Sequence, residues 1–304
     1  MLGSMGADCA YKRRDGFTLI ELSIVLVVIG LIVGGILVGQ NLISAAGVRA
    51  TASQIEKYNT AANTFREKYG YLPGDIPAQP AAQFGFIARG TGTGQGDGNG
   101  IIEAGQWATG AGLSGGAGEE LVFWVDLSAA RLIDGGFSAA NFSVPPGSAA
   151  TGATLNLYLP QAKLGNGNYV YVFSGGWGDN SGTASNGVNY FGINAVISLG
   201  QGACTTCLWA NPGLTVQQAD AIDGKIDDGM PLTGNVLAGY ISSNNWYWPS
   251  GTGNSPPPTS GFSPSASTCF DNGGNTSTPM HYSLEVSNGA NVNCGLTIKM
   301  QAGD

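Results

Sequence analysis

Charge is scarce in this chain. Lysine and arginine together number 12 and aspartate and glutamate 20 among 304 residues, for a formal net charge of −8. So few cations leave no basic face for a nucleic acid, and nucleic-acid binding is set aside. There is one histidine, His281; it opens a β-rich run at residues 281–286 and reads as a structural strand residue, not as a catalytic base. Enzyme motifs are equally thin. Residues 112–116, GLSGG, fit the nucleophile-elbow pattern, and residues 110–115, GAGLSG, fit G-x-G-x-x-G. Neither follows a convincing strand, and a chain with 50 glycines produces both freely. No internal repeat stands out. The acidic body, rich in Ser, Thr, Asn and Gly, reads as an exported domain without catalytic function.

One long apolar run stands against this polar background. Between Arg14 and Arg49 the only charged residues are Asp15 and Glu21. Residues 17–39 are long enough, at about 1.5 Å per helical residue, to cross a hydrocarbon core of roughly 30 Å. Lys12, Arg13 and Arg14 precede the run, so its N-terminal side is expected in the cytoplasm and the rest of the chain outside it. A secretory signal peptide removed after Ala46 would explain the basic flank, but the apolar region of such a peptide spans only about 7–15 residues. A plain anchor explains the length and leaves Glu21 unexplained, because a carboxylate in a spanning helix is costly without a partner.

Basic residues, then Gly16, Phe17, Glu21 at the fifth position after the glycine, and a long apolar stretch resemble the N-terminus of type IV prepilins and type II secretion pseudopilins. The resemblance implies that a prepilin peptidase removes a leader, residues 1–16, by cutting after Gly16. It also implies that the new amine on Phe17 is methylated and that the apolar helix stays in the mature protein. Glu21 of an incoming subunit would then pair with the Phe17 amine of its neighbour and set the register of a filament of pilin or pseudopilin subunits. The alternative within one chain is that Glu21 pairs with its own Phe17 amine, one turn away and at the favourable end of the helix dipole. The implied location is the bacterial inner membrane with a periplasmic head, and afterwards a pilus or pseudopilus. A rival of a different class is a membrane-anchored or secreted adhesin or carbohydrate-binding protein; Trp246, Tyr247 and Trp248 could line its sugar-binding or adhesive surface, but core or subunit packing is the simpler account of them.

The helical pattern continues beyond the apolar run. Val48, Ala52, Ile55, Tyr58, Ala62, Phe65 and Tyr69 recur at steps of three and four with charges mainly between them, which predicts an amphipathic helix that Gly70 and Pro73 terminate. Four parts follow: a leader at 1–16, a transmembrane or filament-core helix at 17–46, an amphipathic helix at 47–69 and an exported head at 70–304. Within the head, residues 70–118 read as a long glycine-rich loop. A helix is expected to begin at Glu119 and Glu120 and end just before Gly135, and another to follow Thr215 as N-cap. Strands are expected at 155–159, 169–173, 188–199, 236–241, 281–286 and 296–300. The expected class is α+β, a long N-terminal helix packed on an antiparallel β-sheet head with large loop insertions. A head of this size, with the phrases YGYLPGD and AIDGKIDDGMPLTG, resembles larger pilin-like proteins and implies a minor or unusually large subunit.

Cys9 falls in the leader, and four cysteines remain for an exported domain. Cys269 with Cys294 is the favoured pair, tying down a C-terminal hairpin, and leaves Cys204 with Cys207 in a short local loop. A four-cysteine zinc site would need a second C-x2-C pair. No cofactor is expected except a structural calcium. In QGDGNGIIEAGQ, residues 95–106, an EF-hand alignment puts Asp97, Asn99 and Glu103 at the third, fifth and ninth positions, but Gln95 and Gln106 stand where acidic ligands belong. A flexible glycine-rich turn is the competing reading. Asp223, Asp227 and Asp228 are expected to be a solvated cluster.

Overall fold

The computed structural model describes residues 17–90, 94–104, 117–142, 150–175, 187–201, 204–242, 245–247 and 262–301. The leader at 1–16 lies outside them. Two compact units are present, Met1–Ser44 and Ala45–Asp304. Helix α1 (Leu19–Tyr69) runs through the boundary between them.

In the first unit every described side chain from Leu19 to Ile36 is exposed, Leu19 at 90% and Ile32 at 55% among them. The apolar residues occur on all sides of the helix, so no single face of the chain can cover them. This helix is long and apolar enough to cross a membrane, with a mean hydropathy of 2.9 over its most apolar window.

The second unit is an α+β head, and its part of α1 buries one stripe. Val48, Ala52, Ile55, Tyr58, Ala62 and Phe65 are all buried, at the spacing that places them on one helical face. Gly70, at φ 81°, donates its N–H to the Arg66 carbonyl at 2.8 Å and ends the helix as the sequence predicts. The stripe meets α3 (Glu119–Ala129) and the sheet. Tyr58 stands edge-on to Trp124 with ring centroids 5.0 Å apart and lies 6.4 Å from Phe191. A short helix α2 (Ala78–Phe84) and a glycine-rich passage join α1 to α3, so the expected long loop carries structure of its own.

The strands are β1 (Ala150–Thr151), β2 (Asn168–Ser174), β3 (Asn189–Gln201), β4 (Cys204–Asn211), β5 (Leu214–Thr215), β6 (Val236–Leu237), β7 (Tyr240–Ser242), β8 (Asn245–Tyr247), β9 (Phe270–Asp271), β10 (His281–Tyr282), β11 (Val292–Cys294) and β12 (Leu296–Lys299). β3 is the hub of a six-stranded antiparallel sheet. Its first half pairs with β2 and β12, its second half with β4 and β1, and β6 lies beyond β12. Every residue of β2 is buried, as expected for a strand covered on both faces. The pairs β9–β10, β5–β11 and β7–β8 stand apart from this sheet.

Several boundaries differ from the sequence expectation. Residues 155–159 do not form a strand; a 3-10 helix (Gly152–Leu157) takes their place, started by a reciprocal bond pattern between Thr151 and Thr154. The strand expected at 236–241 is two strands, because the Ala238 N–H turns to the Pro231 carbonyl at 2.7 Å. The expected strand at 281–286 stops after Tyr282, where the Leu284 N–H closes a tight turn on the Tyr282 carbonyl at 2.8 Å. Helix α3 ends at Ala129, well before Gly135. Arg131 adopts the left-handed region at φ 59°, and the Leu132 N–H reaches back to Leu127 O at 3.0 Å, a glycine-type ending built without glycine. Helix α4 (Val216–Ile226) starts as expected, with Thr215 accepting from the Gln218 N–H at 3.1 Å and the Gln218 side chain answering the Thr215 N–H.

Candidate functional site

At the start of α1 the carboxylate of Glu21 is held by Thr18. The Thr18 N–H and the Thr18 hydroxyl both donate to Glu21 Oε2 at 2.8 Å, and the Glu21 N–H donates back to Thr18 Oγ1 at 3.3 Å. This is a capping box, with Thr18 as N-cap and Glu21 three residues on. Its T-x-x-E signature is visible in the sequence, but the functional reading of Glu21 left Thr18 out. The carboxylate is consequently turned toward the N-terminal end of the helix, where Phe17 is 87% exposed. Gly16 lies outside the described residues.

A second arrangement comes from three separated stretches. The turn after α1 brings in Asp75, the glycine-rich passage brings in Asp97 and Glu103, and the first turn of α3 brings in Glu119. Asp75 Oδ1 and Oδ2 accept the N–H groups of Gly98 and Gly100, each at 2.7 Å. Glu119 Oε1 and Oε2 accept from Gly96 at 2.8 Å and from the Glu103 N–H at 2.9 Å, and Glu103 Oε2 accepts from Gly94 at 3.1 Å. Alternate glycines of the tract thus aim backbone donors at carboxylates, so the passage is an ordered cradle where a flexible turn was the competing expectation. Glycine is needed where the chains touch: at Gly74 a Cβ would come within 2.5 Å of the Glu119 carbonyl oxygen, and at Gly96 within 2.4 Å of that of Ile76.

The two ligand sets differ. Carboxylate oxygens of Asp75, Asp97 and Glu119 lie within 4.8 Å of one another. Asn99 instead turns its amide to Asp97 at 3.2 Å and accepts the Ile101 N–H at 2.7 Å. Asp75, Glu103 and Glu119 are buried, while Asp97 is exposed and marks the open side. Burial pushes the Asp75 carboxyl up to about 7 against the pull of its backbone donors. Burial and then the charge of Asp75 push Glu119 well above the ordinary range, and burial and then Asp97 raise Glu103. No lysine or arginine among the described residues is bonded to these carboxylates. Arg89, the nearest buried cation in the sequence, is committed to Asp126 at 2.6 Å, with both side chains fully buried. Such a set either holds protons or takes up a hard, oxygen-seeking cation.

The remaining sequence candidates are placed as follows. Cys269 and Cys294 form a disulfide with their Cα atoms 5.2 Å apart. Cys207 is disulfide-bonded, and the side chain of Cys204 lies outside the described residues, as does Cys9. Trp246 is buried against Phe173 at 5.9 Å between ring centroids, and Tyr247 stacks on Tyr240 at 5.6 Å. These two rings are packing elements; Trp248 lies outside the described residues. Asp223 is fully buried, which corrects the solvent exposure expected of it, while Asp227 is half-buried and Asp228 is exposed as expected: the Tyr282 hydroxyl donates to Asp223 at 2.8 Å and the Gly229 N–H at 3.1 Å.

Residues 11–37 match the family model of the prokaryotic N-terminal methylation motif. The chain therefore carries the prepilin signal of type IV pilins and pseudopilins over that segment, and Gly16, Phe17, Thr18 and Glu21 all fall inside it. No curated protein and no solved structure matches the chain.

Proposed function

We propose that the chain is a non-enzymatic structural subunit of a type IV pilus or type II secretion pseudopilus, a minor or unusually large one. Prepilin peptidase cuts after Gly16, Phe17 becomes the N-methylated terminus, and the exposed apolar helix holds the subunit in the inner membrane until it joins a filament. The head then lies in the periplasm, consistent with the Cys269–Cys294 disulfide. The observation that carries the reading is the motif match at residues 11–37, running into a helix that exposes its apolar side chains on every face. Glu21 supplies the assembly contact. Its carboxylate, turned to the helix start by Thr18, meets the cationic amine that cleavage creates on the Phe17 of a neighbouring subunit. N-terminal mass analysis of the mature protein tests this. The expected species begins at methylated Phe17; an intact Met1, or a start at Gly47, overturns it in favour of an anchored or secreted binding protein.

We also propose that Asp75, Asp97 and Glu119 hold a structural calcium, with the Glu103 carboxylate beside them. The buried carboxylates of Asp75, Glu103 and Glu119, with no basic partner among the described residues, favour this reading, and an all-oxygen donor set suits that ion. Calcium is expected to raise the melting temperature of the full-length protein in detergent, and Asp75→Asn to remove that rise. Equal melting temperatures in calcium and in chelator would refute it.

A further inference from the structure

We propose that the β9–β10 hairpin of the head is a binding site for a divalent cation of the zinc class, ligated by Asp271, His281 and Glu285. Asp271 and His281 are direct cross-strand partners in the β9–β10 ladder, and residues directly opposite share one face of a sheet. The turn after Tyr282 then brings Glu285 back, so that one ligand atom from each of the three residues lies within 4.8 Å of the others.

Two of the three ligands are held by hydrogen bonds that leave a lone pair for a metal. His281 Nδ1 lies 2.7 Å from the backbone carbonyl oxygen of Asp271. A carbonyl oxygen has no proton to give, so Nδ1 carries the hydrogen and the lone pair is on Nε2. A histidine whose second nitrogen is fixed by a backbone carbonyl is the usual arrangement for a metal ligand. The Asp271 carboxylate is buried and accepts from the Gly273 N–H at 2.8 Å and from the Ser283 hydroxyl, each oxygen keeping a lone pair. Glu285 is exposed and its carboxylate has no bonding partner among the described residues. The strands beneath are anchored by the Cys269–Cys294 disulfide and by the Ser283 N–H on the Cys269 carbonyl at 3.0 Å. Tyr282 meanwhile ties β10 to α4 through Asp223.

The imidazole nitrogen separates this site from the all-oxygen set around Asp75. Nitrogen with two carboxylates suits zinc, nickel or copper, and three protein ligands leave a position open to solvent. Zinc bound here would join the turn that carries Glu285 to the hairpin without displacing calcium from the other centre.

Because His281 is the only histidine, the imidazole signals of the untagged full-length protein in detergent report on this site alone. Titration with zinc in the presence of excess calcium is expected to shift those signals, with saturation near one equivalent. His281→Ala and Glu285→Gln, both at exposed positions, are each expected to weaken zinc binding about tenfold or more by calorimetry, with thermal unfolding in the absence of zinc unchanged. Imidazole signals that stay still under excess zinc, or wild-type affinity in His281→Ala, overturn the proposal.

Discussion

In the first unit Ile32 and Ile43 are 55% and 74% exposed, whereas in the head Phe65, Trp124 and Phe191 are fully enclosed. The described part of the first unit is helical, and its side chains from Leu19 to Ile36 are all exposed. The head encloses a continuous aromatic and aliphatic core, and encloses carboxylates as well. On the proposed reading, the N-terminal helix gets its environment from lipid or from other subunits. The head has met its apolar demand and carries an electrostatic one, which protons or cations must satisfy.

Breaking that contrast at its assembly end should give the largest effect. Glu21→Ala is expected to leave N-terminal processing near normal while filament incorporation falls by an order of magnitude or more; a normal filament yield would remove the register role. Next is a matched pair of truncations. Phe65→Ala opens a cavity where Phe65 contacts Tyr69 and Phe86 at ring distances of 4.6 and 5.4 Å, and should cost the head about 3–5 kcal/mol in denaturant unfolding. Ile32→Ala should leave the same transition unmoved, because that side chain is exposed and belongs to the other unit.

The electrostatic half of the contrast can be sharpened at Asp223. Burial raises this carboxyl to about 7, against the lowering pull of Tyr282 and Gly229. A carboxyl with a raised pKa in the folded state binds its proton more tightly there than in the unfolded chain. Its stabilisation is complete below the ordinary value of 3.8 and is lost as pH rises through about 7. Melting temperature should therefore fall across that interval, and Asp223→Asn should flatten the fall; an unchanged profile would show that Asp223 is ionised in the native head. The smallest effect is expected from Thr18→Ala, which removes the cap that orients Glu21. Incorporation should drop a few-fold, the size of one lost N-cap, and Thr18→Ser should restore it.

Much of the architecture was readable along the chain because it depends on near neighbours. The buried stripe from Val48 to Phe65, the stop at Gly70 and the Thr215 cap all rest on residues three or four apart, and helix geometry alone brings those together. The motif at the N-terminus is local for the same reason. Where the structure differs, either a local cap or a distant group had decided. Residues 155–159 are apolar enough for a strand yet close a 3-10 turn on Thr151 and Thr154. Strand β4 went unforeseen because its pairing depends on β3 across a hairpin with irregular register.

The candidate sites divide along the same line. The segment that holds Gly16, Phe17 and Glu21 was legible because the family motif it matches is short and contiguous, and Thr18 could have been found from T-x-x-E. The acidic centre could not have been found from spacing. Asp75 and Glu119 flank a stretch that ordinary loop signals describe as structureless, and only the folded head sets them against Asp97. The same holds for Asp271 and His281, which a ladder register places opposite each other. What the sequence by itself determined is the helix-led plan with its prepilin signal, since periodicity and motif are properties of adjacent residues. Only the tertiary structure decided which carboxylates are buried together, because burial and the electrostatics it creates are properties of residues that meet through space.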